Sequence, residues 1–133
     1  MIEKRIVDLM LADTTIKDMV GKRVTPVVLR VETGMPCLVY RRLDSTPEYT
    51  LAGRSGWRTV TMQVVCWCVN YEDARELAEA VRDLLDAYSE LDSVGSIRFI
   101  SVADGADEWV DGLDAFGAVV VLTIEYDDEA VTL

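Results

Sequence analysis

The chain has 133 residues, half of them apolar and 28% charged, with a formal net charge of −11; this is enough for one domain with its own core and too apolar for a disordered segment. It contains no histidine, which removes the commonest general base, the commonest metal ligand and every Ser-His or Cys-His nucleophilic pair. No apolar run approaches the ~20 residues that span a bilayer, and MIEKRIVDLML lacks a signal peptide's apolar core and cleavage site, so folding in a cytoplasm is the expectation.

In chain order, IEKRIVDLML places Ile2, Ile6, Leu9 and Met10 on one face at helical spacing. Asp13 interrupts that pattern, and Thr14 or Thr15 is expected to cap a second short helix that reaches Met19 or Val20 and stops at Gly21. Val24 to Val31 reads as a strand that Pro26 confines to an edge or a strand start. Gly34 to Leu43 reads as a second strand, entered through Pro36. Asp44 to Gly56, with Pro47, Gly53 and Gly56, is expected to be a long connection that extends the hairpin partway as a flexible arm.

Trp57 to Val69 is the longest strand candidate. Val60, Met62, Val64, Cys66 and Cys68 share one face and are expected in the core, with Thr59, Thr61, Gln63, Val65 and Trp67 on the other. Asn70 is placed to cap a helix from Tyr71 to about Ser89, in which Ala74, Leu77, Ala78, Val81, Leu84, Leu85 and Tyr88 form an apolar stripe. Ile97 to Val102 and Ala118 to Tyr126 read as further strands, joined by the acidic connection Asp104 to Gly117, with an acidic, frayed tail at the end. The order predicts an α+β fold: a mainly antiparallel sheet of about four to five strands, with an N-terminal helix and one long amphipathic helix packed on it, in a single domain over 1–133.

Chemistry finds little support in these motifs. Cys37, Cys66 and Cys68 make an odd count with no framework spacing and are read as reduced. Cys66 and Cys68 point to one strand face, but a zinc site needs about four ligands and the chain offers one further cysteine and no histidine. Gly53-Arg54-Ser55-Gly56 lacks the Gly-Lys-Ser/Thr ending and following helix of a phosphate loop. Asp104, Asp107, Glu108, Asp111 and Asp114 miss the ligand spacing of a calcium-binding hand. No catalytic, cofactor-binding or metal-binding residues are assigned, and no enzyme activity is expected.

Charge and aromatic placement point instead to assembly. Up to Asn70 ten Lys/Arg stand against seven Asp/Glu, and from Tyr71 onward three stand against seventeen. Such a chain offers a basic surface to one neighbour and an acidic surface to the next. Tyr49, Trp57 and Trp109 lie in or beside the long connections, where aromatic side chains commonly anchor interfaces.

The succession MPCLVYRRL, PEYTLAGRSGWRTVTMQVVCWC and YEDARELAEAVRDLL resembles the tail-completion or tail-terminator family of long-tailed phages and gene transfer agents. Its members show a P-x-x-V-Y strand, a polar loop with a Gly-Ser-Gly-like turn, a V-Q-V-x-C-W strand and a Y-x-x-A-x-x-L-A-x-x-V helix. Here those places are taken by Pro36, Val39 and Tyr40; Gly53, Ser55 and Gly56; Met62, Gln63, Val64, Cys66 and Trp67; and Tyr71, Ala74, Leu77, Ala78 and Val81. Met62 departs from the family's usual valine or isoleucine. The resemblance implies a structural virion protein without cofactor: a homo-hexameric ring at the head-proximal end of the tail, assembled in the bacterial host cytoplasm. Such a ring caps the tube of the major tail protein, ends its polymerisation and presents a face to the head completion or connector protein. DNA would pass through the channel without specific binding, and no membrane is involved. Within that picture Arg41, Arg42, Arg54 and Arg58 are expected to face acidic groups of the neighbouring subunit, with Tyr49, Trp57 and Trp109 as further interface candidates. A rival class, an acidic DNA mimic or inhibitor binding a basic protein surface, fits the charge alone.

Overall fold

The computed structural model describes residues 2–29, 34–50, 53–90, 97–112 and 114–127, and for 48–50 and 53–55 it describes the backbone alone. Its elements are α1 (Ile2–Ala12), α2 (Thr14–Val20), β1 (Val24–Pro26), β2 (Cys37–Thr50), β3 (Gly53–Cys68), α3 (Tyr71–Leu85), β4 (Ile97–Asp104), β5 (Glu108–Val110) and β6 (Ala115–Asp127). The sheet runs β1-β2-β3-β6-β4, with β5 also on β6, so six strands take part rather than four to five. The sheet is mixed: β1 lies parallel to β2, and the other pairings are antiparallel. The strand expected over Val24 to Val31 is β1, which holds three residues, and β5, which also holds three inside the expected acidic connection, is too short for an alternation of side chains to announce it.

The expected period of two in β3 sets the core. Val60, Met62, Val64, Cys66 and Cys68 are buried on one face, opposite Ala118, Val120, Leu122 and Ile124 of β6, and all three helices pack over them. Helix α3 contributes Ala74, Leu77, Ala78, Val81 and Leu85, and α1 contributes Ile2, Ile6 and Met10. The other face of the sheet holds a smaller cluster in which Cys37, Val39, Val65, Trp67, Ala115 and Val119 are covered by Leu29, Met35 and Val110. Trp67, the aromatic on the mixed face, is therefore buried by its own chain. Gly117 lies opposite Trp67 in the ladder, and an added Cβ there would meet Val65 Cγ1 at 2.8 Å and Trp67 Cζ3 at 2.9 Å. Gly117→Ala is accordingly expected to lower stability by about 1–3 kcal/mol through overpacking, read as an earlier chemical or thermal melt.

The caps differ in one place from expectation. Asp13, read as an interruption, is itself the N-cap of α2, its carboxylate accepting the Ile16 N–H at 3.1 Å, so neither Thr14 nor Thr15 holds that position. Asn70 caps α3 as expected, accepting the Glu72 N–H at 2.8 Å. Helix α3 ends at Leu85, short of Ser89, because Ala87 takes a positive φ of 61° and turns the chain along the outer edge of β4. There Ala87 N–H donates to the Ile100 carbonyl, Ile100 N–H to Tyr88 and Glu90 N–H to Ile97, at 2.8–3.0 Å. The buried Glu90 carboxylate also accepts from Ile97 N–H, Tyr88 Oη and Arg5. Burial alone would raise the Glu90 pKa; the three donors outweigh it and hold the group below the usual carboxylate range. The β4 edge is thus closed to strand addition. On the opposite side β1 covers only Leu38 to Tyr40, and beyond Arg41 no described strand lies beside the outer edge of β2.

Candidate assembly surface

The segment expected as a long polar connection is largely a β-ladder. β2 continues to Thr50, β3 starts at Gly53, and pairing is followed out to Thr50–Gly53. Among the described residues β6 accompanies β3 as far as Trp57, which pairs with Asp127, and the described hairpin beyond that point is a two-stranded arm of β2 and β3. At ~3.3 Å per residue, the four residues before Trp57 carry it about 13 Å past the body. A register shift after Arg42 places an extra residue in β2, and a second, between the Pro47–Arg58 and Tyr49–Arg54 pairs, places two extra residues in β3. Gly56 at φ 90° sits where the second shift bends the arm, a conformation that strains any residue with a Cβ.

The arginines expected to act together are divided by the strand period. Arg42 points to the helix side and pairs with the buried carboxylate of Glu3 in α1. The other oxygen of Glu3, Oε2, is buried without a hydrogen-bond partner, which makes Arg42 the counter-ion of an otherwise uncompensated group. Arg58 donates to Ser45 Oγ at 3.2 and 3.3 Å, bracing the base of the arm. Arg41 is exposed on the opposite face of β2, where its side chain makes no hydrogen bond or ion pair among the described residues. The side chains of Arg54 and Tyr49 lie outside the described residues.

The aromatic candidates also separate. Trp57 is half-buried, with the Arg98 guanidinium 3.9 Å from its ring centroid and Glu125 3.7 Å from that arginine. Trp109 is 49% exposed and packs on Phe116 at 4.6 Å between centroids, with Tyr71 on the far side of Phe116 at 5.7 Å. Trp57 pairs with Asp127 and Trp109 with Phe116, so the two lie at opposite ends of β6, roughly 36 Å apart along an extended strand. The five expected interface residues whose side chains are described, Arg41, Arg42, Trp57, Arg58 and Trp109, do not share one face of the subunit.

Arg41 belongs instead to a patch that strand periodicity did not reveal. With Val27, Leu29, Val39, Gln63, Val65, Trp67 and Glu108 it lines a slot of about 110 Å³ on the open side of the sheet. Val27 and Val28, expected inside a strand, are 61% and 57% exposed at its rim. Pro26 ends the β1 ladder, and Val28 N–H closes back onto the Pro26 carbonyl at 2.7 Å, with Val27 between them at φ 65°. This is a γ-turn of the rare positive-φ form, with a β-branched residue at its centre, a conformation that costs about 1–3 kcal/mol.

A second feature lies in the helix layer. Asp13, Thr15, Glu76, Glu79, Ala80, Asp83 and Leu84 line a groove of about 510 Å³ between α2 and α3. The two arginines of α3 make their ion pairs at the β4 end, Arg82 and Arg75 with Asp104 and Arg75 with Asp107 at 3.2 Å, and Arg82 also feels the charges of Glu79 and Asp83 more weakly. The hydrogen bond from Arg82 holds the Asp104 carboxyl below its usual range, and Asp107 accepts from Tyr71 Oη at 2.6 Å. Those acids are therefore structural partners of α3. Among the described residues no group of three or more His, Cys, Asp or Glu side chains is placed to hold a metal ion, and no helix is long and apolar enough to cross a membrane.

The three cysteines are free and buried. Burial pushes the Cys66 thiol far up and the Cys68 thiol to about 11, so both stay protonated near neutrality and act as small apolar fillers.

This architecture is an α-layered mixed sheet with a protruding hairpin. Residues 4–124 match the family model described as tail completion protein gp17, and the chain belongs to that family. Its place is the virion tail, as a structural protein. Among solved structures it is similar to a chain of the virion of a native gene transfer agent particle, with a TM-score of 0.70 at 16% identity, over 92% of this chain and 91% of that one. Comparison with curated proteins found no match.

Proposed function

We propose that this protein forms a homo-hexameric ring that caps the tail tube, ends its polymerisation and joins the tail to the head connector. The match to a tail completion family across residues 4–124 carries the reading. The arm supports it: among the described residues the hairpin beyond Trp57 pairs only within itself, and its backbone extends past the β3–β6 ladder, where a neighbour can meet it. A closed ring needs heterologous contacts, one patch meeting a different patch on the next subunit, and the division of charge along the chain supplies two such patches. The acid surplus disfavours grip on DNA phosphates, which suits a channel that DNA only traverses.

The test adds purified protein to assembling tubes of the cognate tail tube protein and follows them by negative-stain microscopy. Rings at one end of each tube, with growth arrested, are expected. Tubes that lengthen as though nothing had been added overturn the reading.

A further inference from the structure

We infer that the strained β1–β2 turn is a docking knob for a second copy of this chain, and that it seats in the groove between α2 and α3 of that copy. The inference rests on the ring reading and deepens it by naming which surfaces meet.

The knob is Val27 and Val28, exposed side by side. A β-branched side chain at φ 65° is disfavoured by contact between its own Cβ substituents and the backbone. Glycine would take the same turn without that conflict. Val27 lines one side of the slot with Val39, Val65 and Trp67, yet it stays 61% exposed and belongs to neither buried cluster, so packing within the chain offsets little of the strain. Strain held at a largely exposed apolar residue is the pattern of a site that another molecule completes.

The surroundings state the chemistry of that molecule. Between Gly21 and Arg42 the sequence carries five Lys/Arg and one Asp/Glu. Lys22 and Arg41 are exposed without side-chain partners among the described residues, whereas Arg23 is held by the Pro36 and Met19 carbonyls. The knob is therefore apolar at its tip and basic at its flanks. Its complement needs an apolar floor within an acidic rim.

The α2–α3 groove has that form. Ala80 and Leu84 are half-buried at its floor, and Glu76, Glu79 and Asp83 stand exposed at its rim without a salt bridge among the described residues, Arg82 adding a weaker attraction to Glu79 and Asp83 while paired with Asp104. The helices cover one face of the sheet, while the slot beside the knob opens on the other. A single chain cannot bring the two together. Copies can, head to tail, which is the contact a ring requires. Opposite charge at the rim would select this register over knob on knob or groove on groove.

Two variants test the pairing. Val27→Gly with Arg41→Glu disables the knob and leaves the groove; Glu76→Lys with Glu79→Lys disables the groove and leaves the knob. Both should fold, and Val27→Gly alone should melt no earlier than wild type. In sedimentation velocity, with tube ends supplied as nuclei if needed, wild type should form the closed oligomer and each variant alone should stay monomeric. An equimolar mixture of the two should give a dimer and nothing larger, since one intact knob meets one intact groove. A mixture that stays monomeric, or a knob variant that assembles like wild type, overturns this pairing while leaving the ring reading in place. Wild type that stays monomeric even on tubes overturns both.

Discussion

Replacing residues 48–56 with Asn-Gly is expected to leave the monomer folded and to abolish tail termination. The substitution puts a three-residue connection, Asn-Gly-Trp57, between Pro47 and Arg58, which already face each other in the ladder. Nothing in the core is touched. The last buried layers toward the arm are Val60, Ile97, Ile124 and Tyr126, all inside the Trp57–Asp127 pair. Trp57 keeps its stack on Arg98, and Arg58 keeps Ser45. Shortening a loop of this size changes closure entropy only slightly, so the melting temperature should stay close to wild type. In complementation, particles carrying the shortened arm should show overlong or headless tails by microscopy. Normal tail lengths with a normally folded variant would remove the arm from the mechanism.

The arm shows why part of the structure was legible in the sequence and part was not. The strand from Val60 to Cys68 announced itself because one of its faces is buried, so alternation was written into apolar residues. From Asp44 to Pro47 the described side chains are exposed or half-buried and none joins the core. The ladder there is held by backbone hydrogen bonds, which any non-proline residue can make, and the side chains keep the polar, glycine-bearing composition of a loop. Val24 to Val31 misled in the opposite direction. Its β-branched run reads as a strand, yet Pro26 supplies no N–H, and the chain turns at Val27. Two of the arginines separate for a geometric reason: Arg41 and Arg42 are neighbours in sequence and therefore project to opposite faces. Which of them is free depended on where α1 would place Glu3, a contact 39 residues away in sequence. The family resemblance, carried by the strand and helix patterns around Gln63 and Leu77, survived these local errors because it rested on the buried parts of the chain.

Leu77→Ala is expected to have the largest effect on stability, about 2–5 kcal/mol, against the ~5–15 kcal/mol that holds a domain of this size folded. Helix α3 buries five side chains, and three of them are Ala74, Ala78 and Val81, small enough to let the helix axis approach the sheet closely. The larger contribution falls on Leu77 and Leu85, both without solvent exposure. Truncating Leu77 leaves a hole between β3, β6 and the helix that close-packed neighbours fill only partly. The contrast is with Arg82, whose ion pair to Asp104 is among the closest in the molecule. Both partners are solvent-exposed, and water and salt screen the attraction, so contact distance is a poor guide to its strength. Arg82→Ala should therefore shift the urea midpoint far less than Leu77→Ala. The Asn70 cap remains in both variants, so the comparison isolates burial from capping. Equal midpoints for the two would mean that α3 is held from its surface rather than from its apolar stripe. A docked α3 is also what presents Glu76, Glu79 and Asp83 as one groove wall. Leu77→Ala should then weaken self-association as well as folding, while Arg82→Ala should leave both nearly intact.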